Sequence, residues 1–194
     1  MHSREGLVMK LARSVVLVLG VAAVGCTGPA GENGKPCTVK DNGNNTATDP
    51  TNTNSPPNVQ LVKSCPSPAN CTTAPQLPGT DITYNIAFTN SGGQAAANMV
   101  IVDGIPANTD FKLGTATASV GTTGLTFAIE YSSDYDALNP NLATWTYTPV
   151  SGGGGASAGY DRNVKAIRWR VTSGTLSNVA PNNTGNVSFV TKIR

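Results

Sequence analysis

The chain has 194 residues and a formal net charge of +2, with charged residues at 12% against about a quarter in ordinary globular domains. Arg4, Lys10 and Arg13 against Glu5 account for that charge, and from Cys26 onward ten Lys/Arg balance ten Asp/Glu. This balance excludes a general nucleic-acid binder, which needs a basic surface to displace counterions from phosphates. It also excludes a charge-rich disordered chain. Thr, Asn, Ser and Gly make up about two-fifths of the residues and Glu occurs three times. Such a composition favours strands and turns over helices.

A basic stretch ending at Arg13 precedes an apolar run of eleven residues, 14–24. A helix needs about 20 residues to cross a bilayer core, so the run reads as the centre of a secretory signal peptide covering residues 1–25. Ala23-Val24-Gly25-Cys26 resembles the lipobox of bacterial lipoproteins, with Ala23 where Leu is commonest. That resemblance implies cleavage before Cys26, lipidation of its thiol and tethering at a membrane without a spanning helix. An ordinary cleaved signal and an uncleaved anchor are the alternatives. The expected location is the bacterial cell envelope, outer membrane or cell surface.

Four cysteines follow from the same argument: Cys26, Cys37, Cys65 and Cys71. Export brings them to an oxidising compartment, where pairing is expected. Cys65-Pro-Ser-Pro-Ala-Asn-Cys71 closes a small loop already bent by two prolines, and we expect a disulfide there. So short a loop contributes about 2–2.5 kcal/mol, which makes it a local staple. Cys37 is left odd if Cys26 carries lipid and otherwise has Cys26 as its partner. The sole histidine is His2 and no Cys-Xaa-Xaa-Cys pair occurs, which argues against zinc.

Residues 26–58 read as a flexible tether. Gly28, Gly31 and Gly34 recur every third residue, similar to the collagen-like stalks of some surface lipoproteins, but too briefly for a triple helix. Residues 38–58 have almost nothing to bury and cannot offset ordering entropy. From Val59 to Arg194 the character changes. Ile82, Tyr84, Ile86 and Phe88 alternate with polar residues, as do Phe127, Ile129 and Tyr131, then Trp145 and Tyr147, then Ile167, Trp169 and Val171, and last Val187, Phe189 and Ile193. Period two marks half-buried antiparallel strands. Turn residues separate them at Asn90-Ser-Gly-Gly, Pro106-Ala-Asn, Gly121-Thr-Thr-Gly, Asn139-Pro-Asn and Gly152–Gly155. Seven to eight or more strands without an amphipathic helix predict an all-β, two-sheet antiparallel β-sandwich over residues 59–194. The two Trp and the alternating Phe and Tyr are its expected core.

The segments Val59-Gln-Leu-Val-Lys63, Pro78-Gly-Thr-Asp-Ile-Thr-Tyr84, Thr89-Asn-Ser-Gly92 and Asp103-Gly-Ile-Pro-Ala-Asn108 are similar to a known module. They resemble the conserved repeat domain of bacterial and archaeal surface proteins, number eleven of the domain-of-unknown-function series. The likeness is dense over residues 59–111 and loose beyond. It implies a single immunoglobulin-like sandwich serving as a stalk or adhesion module, with no catalytic residues. That family occurs in tandem arrays, whereas this chain holds no internal repeat.

Without histidine in the mature chain, nucleophile–base catalysis lacks its base, and no catalytic residue or cofactor is expected. Glu130, Asp134 and Asp136 form an acidic cluster. It reads as solvated loop acids, with calcium ligation, joined by Asp103 or Asp110, as the alternative. Tyr131, Tyr135 and Tyr160 are candidates for stacking on sugars. Lys63 on the first strand and Asn186 on the last, with Glu130 as acid, are the residues an isopeptide cross-link would use. Lys63 reads equally as an outward edge-strand lysine that resists aggregation. The expected function is a non-enzymatic envelope lipoprotein whose partners are other envelope proteins or glycans, and not nucleic acid. The alternatives are a self-assembling fibre or coat subunit, completing a neighbour's sheet with its 27–58 tail or its last strand, 187–193, and a carbohydrate-binding module.

Overall fold

The computed structural model describes the strand Val15–Val18, residues 55–69, residue 71 and residues 73–194. Ten strands follow in chain order: β1 Val15–Val18, β2 Val59–Ser67, β3 Asp81–Asn90, β4 Val100–Gly104, β5 Thr109–Lys112, β6 Thr117–Ser119, β7 Thr126–Ser132, β8 Tyr160–Asp161, β9 Ala166–Ser173 and β10 Thr184–Ile193. They build two antiparallel sheets stacked as a sandwich. The smaller runs β1-β4-β9-β7; the larger runs β2-β3-β10-β5-β8, with β6 also on β10.

The period-two segments form the strands because alternation lets one side chain in two leave water while the other stays solvated. In β3, Ile82, Tyr84, Ile86, Phe88 and Asn90 are buried, and in β10, Val187, Phe189, Thr191 and Ile193. The two strands pair from Thr184↔Thr89 to Lys192↔Asp81, so Tyr84 lies opposite Phe189 with ring centroids 5.1 Å apart. Trp169 of β9 packs on Phe189 at 6.1 Å and donates its indole N–H to Thr117 O, tying the sheets together at the centre of the core. On the outer faces, hydroxyls pair across strands: Thr89 with Thr184, Thr117 with Ser188 and Thr126 with Thr172.

Turn chemistry fixes the ends of these strands. Leu77-Pro-Gly-Thr80 closes with Thr80 N donating to Leu77 O, and Gly79 takes φ +88°, as the third position of a type II turn requires. After β3, the fully buried Asn90 donates to Gln94 O and Leu176 O and accepts from Asn58 N and Gly92 N. It therefore closes one end of the sandwich. The neighbouring Gly92 leaves no room for a side chain, since a Cβ there would meet backbone atoms of residues 56–58.

Two expectations need correction. Trp145 and Tyr147 join no named strand; their segment makes one isolated bridge, Tyr131↔Tyr147, and lies against the smaller sheet. Residues 149–163 carry the short strand β8 amid turns. They fold around the buried Asp161, which accepts from Tyr147 Oη, Val150 N and Asn163 N. The last strand, 187–193, is no free donor for a neighbour, because β10 is paired on both sides within its own sheet. The apolar run 14–24 contributes Val15–Val18 as an antiparallel partner of β4.

Asn90→Ala removes four hydrogen bonds at once, one of them fully buried. We expect a loss of roughly 2–4 kcal/mol in urea unfolding, while Ser91→Ala next to it stays within about 0.5 kcal/mol. Equal losses would show that Asn90 does not close this end.

Candidate functional site

The alternation of β2 puts Val59, Leu61, Lys63 and Cys65 on the inward side. Lys63 is therefore not an outward edge lysine: its side chain is 7% exposed. In β4 the same parity turns Ile101 and Asp103 inward from the opposite sheet, and the Asp103 side chain is 1% exposed. The two meet between the layers. Lys63 Nζ donates to Asp103 Oδ1 at 2.9 Å. Oδ2 is nearer still, at 2.6 Å, so the ammonium sits against both carboxylate oxygens. The ammonium also sits 4.6 Å from the Tyr84 ring centroid and 5.6 Å from that of Phe189.

Burial dominates the electrostatics here. It pushes the Asp103 carboxyl up to about 6, against the pull of Lys63 and of the Gly104 N–H bonded to it. Burial, then the Asp103 charge, pushes the Tyr84 hydroxyl up to about 12. Tyr135 closes the pair from the loop after β7: a Cβ on Gly104 would come within 3.3 Å of its ring, and its hydroxyl is buried without a hydrogen-bond partner.

The structure does not assemble Lys63, Asn186 and Glu130. Asn186 falls on the opposite parity of β10 from the buried Val187 and Phe189. Glu130 is held in the smaller sheet by Arg168 Nε at 2.6 Å and Arg170 Nη2 at 2.9 Å. The acidic cluster is likewise divided. Asp134 accepts from Ser132 Oγ, Thr144 N and Thr144 Oγ1; Asp136 accepts from Leu138 N and Asn139 Nδ2. Asp110 is chelated by Arg162 at 2.9 and 3.1 Å. Among the described residues no group of three or more His, Cys, Asp or Glu is placed to hold a metal ion.

The three tyrosines considered for sugars are engaged within the fold. Tyr131 faces Phe111, Tyr135 faces Trp145, and the buried Tyr160 donates to Asp81 while Lys192 lies over its ring. A shallow recess of about 270 Å³ remains on the smaller sheet, lined by Val100, Val102, Pro140, Trp145 and Arg168. The Arg168 guanidinium covers the Trp145 ring at 4.6 Å.

Cys65 and Cys71 form a disulfide, with Cα atoms 6.3 Å apart. Cys26, Cys37, the 26–58 tether before residue 55 and all of the signal segment except β1 lie outside the described residues. Among the described residues no helix is long and apolar enough to cross a membrane. The residue that sequence reasoning weighed only as a calcium ligand is Asp103, and the shared parity of Ile101 and Asp103 was the available signal.

No family model matches the chain, and no curated protein and no solved structure is significantly similar to it.

Two predictions follow from these ion pairs. Lys63→Met leaves Asp103 buried without its cation and should cost about 3–5 kcal/mol, whereas Lys63→Met with Asp103→Leu regains much of that loss in denaturant titrations. Glu130 responds to pH from the surface side. Burial raises its carboxyl, but hydrogen bonds from Arg170 and Arg168 outweigh burial and hold it below the ordinary 4.5. A carboxyl lowered on folding stabilises above its unfolded value, and that stability is lost as pH falls. The stability gap between wild type and Glu130→Gln should therefore narrow on acidification below about 4.5. A constant gap would contradict it.

Proposed function

We propose that this is a non-enzymatic structural or adhesion module of the bacterial cell envelope, exported and held by lipid on Cys26. The observation that carries the reading is the Cys65–Cys71 disulfide at the start of the sandwich. Such a bond persists in oxidising, extracytoplasmic compartments, where the signal-like segment and the lipobox resemblance would send the chain. The motifs over residues 59–111 resemble the conserved repeat domain and support a surface role. So does the outer face, which carries three cross-strand pairs of uncharged Thr and Ser hydroxyls.

A second reading rests on β1. Removal of residues 1–25 by export would strip Val15–Val18 from β4 and leave a hydrogen-bonding edge open. A strand from a second copy would then fill it, and the protein would be a fibre subunit assembled by strand addition.

Feeding cells a radiolabelled fatty acid separates the readings. The lipoprotein reading expects label and membrane fractionation that Cys26→Ala abolishes; label independent of Cys26, or none, overturns it. The fibre reading expects protein beginning at Cys26 to form polymers visible by electron microscopy, dispersed by a peptide of residues 14–24. A monomer at high concentration overturns that one.

A further inference from the structure

Between the sheets, an amine and a carboxyl group are held together with water excluded. We propose that Lys63 and Asp103 react to form an intramolecular isopeptide bond, Nζ to Cγ, that joins β2 of the larger sheet to β4 of the smaller.

The geometry supplies what amide formation needs. Oxygens at 2.9 and 2.6 Å from Nζ place the carbon between them near the ~3 Å from which a bound nucleophile attacks. Oδ2 lies nearest the ammonium, at 2.6 Å, which makes it the oxygen to take the proton and depart. Gly104 N–H bonds to the same carboxyl and can hold charge that develops on the remaining oxygen. The rings of Tyr84 and Phe189 cover the amine and keep out the water that would reverse the reaction. Burial raises the carboxyl so that it takes a proton readily.

The step balances without any co-reactant. One proton passes from the ammonium to Oδ2, giving amine and acid. The Nζ lone pair attacks Cγ, the Cγ–Oδ2 bond breaks, and a second Nζ proton leaves with that oxygen as water. An amide with one N–H remains. The cross-link spans forty residues of chain and staples the layers independently of the disulfide.

Peptide mapping of the reduced full chain tests this. Trypsin cuts after Lys40, Lys63 and Lys112, but a lysine in amide linkage resists. The expected product is an uncut 41–112 segment lighter by one water, whose 41–84 and 89–112 parts stay joined after chymotrypsin cuts at Tyr84 and Phe88 and releases 85–88. Complete cleavage after Lys63, giving separate 41–63 and 64–112 peptides, overturns the proposal. A cyclic imide at Asp103-Gly104 would also lose water, yet it leaves Lys63 open to trypsin and so counts against the bond. Asp103→Asn should lose ammonia in place of water, and Lys63→Met should lose nothing. Loss of water that persists in Lys63→Met overturns the assignment.

Discussion

The antiparallel ladder between β3 and β10 is the constraint on which the rest of the molecule depends. Its unbroken register from Thr184↔Thr89 to Lys192↔Asp81 fixes the parity of both strands, and parity decides which side chains meet. A slip of β10 by one residue would turn Val187 and Phe189 out to solvent and their polar neighbours into the core. With the register set, Tyr84 and Phe189 form the aromatic floor on which Trp169 packs from the opposite sheet. Lys63, carried by β2 alongside β3, then lands over the same rings.

The Lys63–Asp103 contact sits awkwardly in such an interior. Taking both charges out of water is costly, and a buried ion pair often contributes little net stability against an apolar replacement of equal shape. Its specificity is of another kind. The pair lets only one alignment of the two layers satisfy both groups, because any other leaves a bare charge in an apolar space. Asn90 imposes the same condition through neutral groups at one end of the sandwich.

Much of this was legible in the sequence, and the reasons for the remainder are physical. Alternation over residues 82–88 and 187–193 reports burial directly, so β3 and β10 stand out. The turn at Pro78-Gly79 follows from backbone freedom alone. Alternation says which way side chains point, but nothing about whether a strand's backbone edges are occupied. That is why the central position of β10 was hidden. Trp145 and Tyr147 mislead for a related reason: they alternate because one side of their segment lies against the smaller sheet, without a ladder. The partners of Lys63 and Glu130 depend on how sheets stack and which strands adjoin. No local pattern carries that information. The short run at 15–18 shows a further limit, since an apolar stretch of Val and Leu has no period that separates strand from helix.

The position of β10 has a consequence in time. The ten residues Thr184–Ile193, which follow every strand they pair with, occupy the middle of the larger sheet, flanked by β3 on one side and by β5 and β6 on the other. Until that segment arrives, β3 has β2 alone beside it, and β5 and β6 lack the strand they pair with. Pairing residues so distant in sequence is slow, because loop-closure entropy is lost before the contacts offset it. A chain threaded through a membrane from its N-terminus would therefore keep its larger sheet open. The larger sheet would set into shape only when Thr184–Ile193 emerge on the far side.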